Sequence, residues 1–84
     1  MNSKQRKILK AILAKPVPSS VIWNDIEKLF IALGCEVTEG RGSRVRVVKE
    51  GIFAVFHRPH PKKETNKGAI ASVKDYLTKI GAIP

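Results

Sequence analysis

Two runs of alternating apolar and polar residues, RVRVVK and IFAVFH, are separated only by Glu50 and Gly51. Such alternation is typical of strands with one buried face, and the short connection predicts an antiparallel hairpin. A two-residue turn places Arg44 opposite His57, whereas a three-residue turn with a bulge at Gly51 shifts the pairing by one residue. We favour the two-residue turn because it gathers the apolar side chains on one face. That face carries Val45, Val47, Ile52, Ala54 and Phe56, and the other carries Arg44, Arg46, Phe53, Val55 and His57.

Apolar residues at helical spacing predict a first helix from Ser3 to Ala14, which ends before Pro16. The following stretch PVPSS is a plausible hinge. We therefore expect residues 1–18 to form an N-terminal helical extension and residues 19–84 to form a single domain. The 84 residues leave no room for a second core.

Two further helices flank the strands. The second is predicted to begin at Ser20, or at Asn24 with Glu27 in a capping box, and to end at Gly34. The third is predicted to begin at Thr65 or Asn66 and to end at Gly81. Their buried stripes are expected to contain Ile22, Ile26, Leu29 and Leu33, and Ile70, Val73, Leu77 and Ile80, respectively.

A short strand in the stretch CEVTEG completes the order helix, helix, strand, strand, strand, helix. This order predicts an α+β fold, with a three-stranded antiparallel sheet that carries helices on one face. The other face of the sheet would be open, and Arg44, Arg46 and His57 would lie on it.

The formal net charge of +9 is distributed unevenly along the chain. Residues 1–18 carry +5, residues 19–40 carry −3, and residues 41–68 carry +6. Segregated positive charge is typical of a protein that binds a polyanion, because neutralised phosphates release condensed counterions. The acidic residues lie on the second helix or just beyond it, and we expect this helix to face away from that partner.

Cys35 is the single cysteine and follows an apolar stretch, so we expect a buried thiol in a reducing compartment such as the cytoplasm. No apolar run approaches the ~20 residues that a membrane span needs. Two histidines and one cysteine make an incomplete ligand set, so no metal site and no cofactor are predicted.

The stretch PHPKKETNKG places lysines around the start of the last helix, where backbone N–H groups and the helix dipole favour anions. Arginines from the strands extend this positive surface. Few aromatic residues interleave the cations, so phosphate recognition fits better than base reading. The predicted RNA-binding residues are Arg41, Arg44, Arg46, Arg58, Lys62, Lys63 and Lys67.

His57 and His60 lie where a phosphate chain would pass. Histidine suits RNA cleavage because both of its protonation states are available near neutral pH. One histidine could accept the proton of the 2′-hydroxyl, and another group must protonate the leaving oxygen. The alternative is that His57 is a polar residue at a strand end and His60 a loop residue between prolines.

The chain resembles the HicA-type toxins, the RNA-cleaving half of a bacterial toxin–antitoxin pair. The resemblance rests on IEKLFIALGCEV, on GRGSRVRV, and on FHRPHPKK followed by a capped helix, and covers about residues 20–82. It implies a fold like a double-stranded-RNA-binding domain, metal-independent cleavage of mRNA, and neutralisation by a HicB-type antitoxin.

One departure from the family pattern concerns the catalytic histidine of its Gly-Ser-His motif. This chain has Gly42-Ser43-Arg44 instead, and an arginine stays protonated and cannot act as a base near neutral pH. We therefore expect His57 to take the catalytic role, with His60 nearby and Arg44 on the phosphate. Two alternatives are a domain that binds RNA without cutting it and a protein-interaction module that docks an acidic antitoxin.

Overall fold

The computed structural model describes residues 1–84. Three helices, α1 (Ser3–Leu13), α2 (Trp23–Ala32) and α3 (Lys67–Lys79), accompany three strands, β1 (Glu36–Glu39), β2 (Arg44–Lys49) and β3 (Ile52–His57). The strands form one antiparallel sheet in the order β1-β2-β3. The predicted α+β class and order of elements are confirmed, while the likeness to a double-stranded-RNA-binding domain stays an expectation.

The hairpin has the predicted two-residue turn. Lys49 pairs with Ile52 and Arg44 with His57. Glu50 and Gly51 both have positive φ, 50° and 80°, as a type I′ turn requires. Glutamate tolerates this backbone poorly, so the turn is maintained by the pairing of the strands and not by its own residue preference.

The core lies between the sheet and the helices. Val45 and Val47 are fully buried, and the ring of Phe56 lies 5.6 Å from the rings of both Trp23 and Phe30. Ile52 was predicted in this core, but it is 38 % exposed because it lies at the hairpin end of the sheet. The opposite face of the sheet is exposed at Arg44, Arg46, Phe53, Val55 and His57, as predicted.

The prediction for the start of α2 was wrong, because neither Ser20 nor Asn24 caps it. Ile22 is the N-cap residue and no side chain caps the helix. The backbone before α2 instead pairs with the segment before α3, where Trp23 N–H donates to Lys63 C=O at 3.1 Å and Thr65 N–H to Val21 C=O at 2.7 Å. The first of these bonds satisfies one of the N–H groups at the start of α2 that have no partner within the helix.

The ends of the helices otherwise follow the prediction. Asn66 caps α3 by accepting from Ala69 N–H at 2.7 Å. Gly34 and Gly81, with φ of 87° and 76°, follow the last residues of α2 and α3. In each case the N–H of the glycine and the N–H of the following residue donate to carbonyl groups in the last turn of the helix, as in a Schellman motif.

Helix α1 packs against both α2 and α3. Its Ile12 is completely buried and belongs to the same apolar core as the sheet residues. The boundary at residue 18 stays a prediction, but this helix contributes to the core of the remaining residues. None of the three helices is long and apolar enough to cross a membrane.

Candidate RNA-binding face

The open face of the sheet brings Arg44 and His57 together. They are directly opposite each other in the register of β2 and β3. Arg58 N–H donates to Ser43 C=O at 2.8 Å, and Gly40 N–H donates to Arg44 C=O at 2.9 Å. The backbone of Arg44 therefore forms its hydrogen bond on the side of β1 and not with His57. Arg44 and His57 are thus a non-hydrogen-bonded pair, with Cβ atoms about 5 Å apart.

Two arginines lie side by side on this face. Arg46 is exposed, and its guanidinium lies over the Phe53 ring at 4.7 Å from the ring centre, a cation–π contact. Arg44 is also exposed and makes no salt bridge. The acidic Glu36 lies at the far end of the same face, on β1 opposite Val48. Arg44 therefore lies at the end of the sheet where His57 lies, whereas the guanidinium of Arg46 lies over Phe53, nearer the hairpin turn.

His57 also lines a cleft between β3 and the first half of α3. The cleft encloses about 290 Å³ and is lined by Val55, Phe56 and His57 of β3, by the N-cap residue Asn66, and by Gly68, Ala69 and Ser72 of α3. The imidazole is exposed, so a bound molecule would have access to it. The cleft therefore extends from His57 to the start of α3.

The other predicted site residues are exposed, and Lys63 also lines a cavity beside α2 with Trp23, Glu27 and Arg58. Arg41 belongs to the turn before β2, and its C=O accepts from Arg44 N–H. His60, Lys62 and Lys63 lie in the loop between β3 and α3, and Lys67 is the first residue of α3. None of the four cations Arg41, Lys62, Lys63 and Lys67 forms a salt bridge with an acidic side chain. Their positive charges are therefore available to an anion.

Arg58 occupies a different environment from the other cations. Its Nε and Nη2 donate to the two oxygens of Glu27 at 2.8 and 2.9 Å, and its Nη1 donates to Glu39 at 2.8 Å. Trp23 Nε1 donates to the same Glu27 carboxylate, which is buried. Hydrogen bonds from Arg58 lower the pKa of Glu27 although burial opposes this, and the carboxylate raises the pKa of Arg58.

The sequence interpretation missed this network of Trp23, Glu27, Arg58 and Glu39. A signal was present: alternation beyond β3 points Arg58 to the helix side of the sheet, opposite to His57. Trp23 and Glu27 are also four residues apart on one helix, so they share a face. The network lies on the side of the sheet opposite to the open face. It holds Arg58, the residue that follows His57 at the end of β3, in a fixed position.

Two other side chains that could take part in chemistry, Cys35 and Tyr76, are buried residues of the core. Cys35 is buried, and burial raises the pKa of its thiol. Burial also raises the pKa of Tyr76, whose hydroxyl donates to Ile52 C=O at 2.8 Å. No three His, Cys, Asp or Glu side chains come together in a group that could hold a metal ion.

The fold and this face define a small α+β domain with a cationic open sheet. The family described as HicA toxin of bacterial toxin-antitoxin matches residues 23–82, well over half of the chain. The chain belongs to this HicA toxin family, and membership implies an antitoxin partner. Searches of curated proteins and of solved structures found no significant match.

Proposed function

We propose that this toxin is an endoribonuclease that binds mRNA on the open face of its sheet and cuts it by metal-independent acid–base chemistry. The observation that carries the proposal is the pairing of Arg44 with His57 on an exposed, cationic sheet. Because the two residues are directly opposite, with Cβ atoms about 5 Å apart, their guanidinium and imidazole groups can contact one phosphodiester group together. We place this activity in the cytoplasm, where mRNA is found.

In the proposed reaction, neutral His57 accepts the proton of a ribose 2′-hydroxyl. The 2′-oxygen attacks phosphorus, the bond from phosphorus to the 5′-oxygen breaks, and that oxygen takes a proton from protonated His60. The products are a 2′,3′-cyclic phosphate and a 5′-hydroxyl. Arg44 stabilises the additional negative charge on the phosphate oxygens.

The remaining cations support binding instead of bond cleavage. Arg41 and Arg46 extend the surface across the sheet, and Lys62, Lys63 and Lys67 extend it along the loop to the start of α3. Contacts with phosphates fix the position of the RNA without reading its sequence. Arg58 was predicted among these cations, and its ion pairs with Glu27 and Glu39 leave it the least available of them.

The test is cleavage of an mRNA substrate in excess chelator by the wild-type protein and by His57→Ala, His60→Ala and Arg44→Ala. Loss of a general base or acid typically costs 10²–10⁴-fold in rate, and we expect about 100-fold or more for His57→Ala. Lys28→Ala is the matched charge control for Arg44→Ala, because Lys28 is exposed on α2, away from the open face. Cleavage that depends on an added metal ion would contradict the mechanism.

A second candidate function is RNA binding without cleavage. Arg44 occupies the position where the resemblance predicts the family's catalytic histidine, and this substitution favours a protein that has lost the reaction. In that case the purified chain would retain RNA in a gel-shift experiment while the RNA stays intact. The same set of variants distinguishes the two functions.

A further inference from the structure

Strand β3 is a free edge of the sheet. The strand order is β1-β2-β3, so β3 has a neighbour on one side only. It is six residues long, whereas the opposite edge strand, β1, has four. A free edge exposes unpaired backbone groups to which another extended chain can bond.

The register shows which groups of β3 point outward. Because Arg58 N–H bonds to Ser43 C=O, the alternate pairs along the hairpin are the hydrogen-bonded ones, including Phe56 with Val45. The N–H and C=O groups of Phe53, Val55 and His57 therefore point away from β2. No hydrogen bond to another part of the chain occupies them.

Edge strands of natural proteins usually carry a charge, a proline or a bulge that prevents pairing with another chain. β1 has such protection, since Glu36 and Glu39 begin and end it. β3 reads Ile-Phe-Ala-Val-Phe before His57 and has no charge in that stretch. Phe53 is 58 % exposed and Val55 is 49 % exposed. An unprotected apolar edge is typical of an interaction site.

The space beside this edge can accommodate another strand. The cleft of about 290 Å³ lies between β3 and α3, where its far wall is formed by Gly68, Ala69 and Ser72 of the helix and by the N-cap residue Asn66. The three residues of the helix are small, so a backbone can approach β3 closely beside them. Side chains on one face of an added strand would enter the cleft, and those on the other would lie over the open sheet.

We propose that β3 accepts an extended, acidic segment of the antitoxin as a fourth strand of the sheet. The proposal rests on the toxin family membership for the existence of this partner, and on the structure for its mode of binding. Carboxylates on the open-face side of the added strand would lie toward Arg44 and Arg46. Its alternate residues, small or apolar, would face the cleft. Main-chain bonds give affinity in this mode, and alternate side chains give specificity.

Charge complementarity favours this occupant over a second copy of the chain. Two copies paired through β3 would bring together two chains of formal charge +9 without placing a carboxylate of either strand at the interface. An acidic segment instead neutralises the arginines. It would also run past the backbone of His57 and close the cleft, so RNA and antitoxin would exclude each other.

The experiment uses NMR amide exchange of the full chain with a synthetic peptide that alternates glutamate and valine. We expect the peptide to slow exchange at Phe53, Val55 and His57. Ala54 and Phe56 are internal controls, because their amides already bond to β2. A peptide that alternates lysine and valine is the charge control, and we expect it not to bind.

Val55→Pro tests the main-chain bonds directly. Proline removes an N–H that has no partner in the chain, so the ladder between β2 and β3 remains intact and the amides of Ala54 and Phe56 report this. Losing a bond and introducing the ring should weaken peptide binding about fivefold or more, whereas Val55→Thr should change it less than about twofold.

Unchanged exchange at Phe53, Val55 and His57, or equal binding of the acidic and basic peptides, would overturn the proposal. The proposal would also be overturned if these three amides exchange slowly in the peptide-free chain and exchange still more slowly as the protein concentration rises. That result would identify a second copy as the occupant. Because none of these readouts uses RNA cleavage, a failure here is distinct from a failure of the proposed ribonuclease activity.

Discussion

The Glu27–Arg58 ion pair is expected to stabilise the fold far more than the Glu39–Arg58 pair. Both carboxylates bind the same guanidinium, but the side chain of Glu39 is 73 % exposed and Glu27 is buried. The perturbations are Glu27→Gln and Glu39→Gln, which preserve size and remove one charge. They form a matched pair because each removes one carboxylate partner of Arg58.

The magnitude follows from what each variant leaves without a partner. Glutamine at 27 has one acceptor oxygen for the three donors from Trp23 and Arg58, and its amide N–H₂ faces those donors. Breaking a fully buried pair costs about 3–5 kcal/mol, but the Arg58 side chain is 36 % exposed and can be hydrated. We therefore expect about 2–3 kcal/mol for Glu27→Gln and about 1 kcal/mol or less for Glu39→Gln.

Thermal or urea unfolding measures both costs. Each kcal/mol lowers the midpoint of a domain of this size by roughly 4–8 °C, so the two variants are readily separated. The pKa of Glu27 is lowered below its usual value of 4.5 by hydrogen bonds from Arg58. Its stabilisation is therefore fully present above pH 4.5 and is lost as the pH falls through the lower pKa of the folded state. Equal costs for the two variants, or a difference that persists in strong acid, would refute this reasoning.

Three other outcomes are expected. Ile12→Ala should cost about 2–5 kcal/mol of folding stability, and a cost near zero would mean that α1 is a mere appendage. Cys35 should react with iodoacetamide at least about tenfold faster in urea than in the native protein, because burial raises its pKa, and equal rates would contradict this. Arg46→Ala should weaken RNA binding and reduce the slope of log affinity against log salt by about 1, whereas an unchanged slope would place no phosphate at Arg46.

The sheet and its register were predictable from the sequence. The hairpin follows from period-two alternation, because a shift of one residue would have turned the inward face of β3 to solvent. Gly34 and Gly81 were recognisable as helix ends, since each needs a left-handed backbone. The open face with Arg44 and His57 follows from the same alternation.

The rest depends on contacts between distant segments. Nothing near Ser20 or Asn24 indicates that Trp23 N–H would bond to Lys63, forty residues away along the chain. The stretch PVPSS resembles a hinge, and only the packing of Ile12 against α2 and α3 shows that α1 joins the core. Local sequence patterns therefore predict the individual helices and strands well, but they do not predict which distant segments these helices and strands contact.

The site was predictable in part for the same reason. Arg44, Arg46 and His57 were placed on one surface by strand alternation alone. Arg58 was grouped with them because it is adjacent in sequence, and its partner Glu27 belongs to a different element. The free edge of β3 also needs the strand order, which no local pattern specifies.

The most direct measurement is the rate at which pure His57→Ala protein cuts mRNA in chelator, compared with the wild-type protein at the same concentration. We predict that the wild-type protein cleaves the RNA. The variant should fold and bind RNA, and its cleavage should be at least about 100-fold slower. A variant as fast as the wild type, or a wild-type protein that leaves the RNA intact, would contradict it.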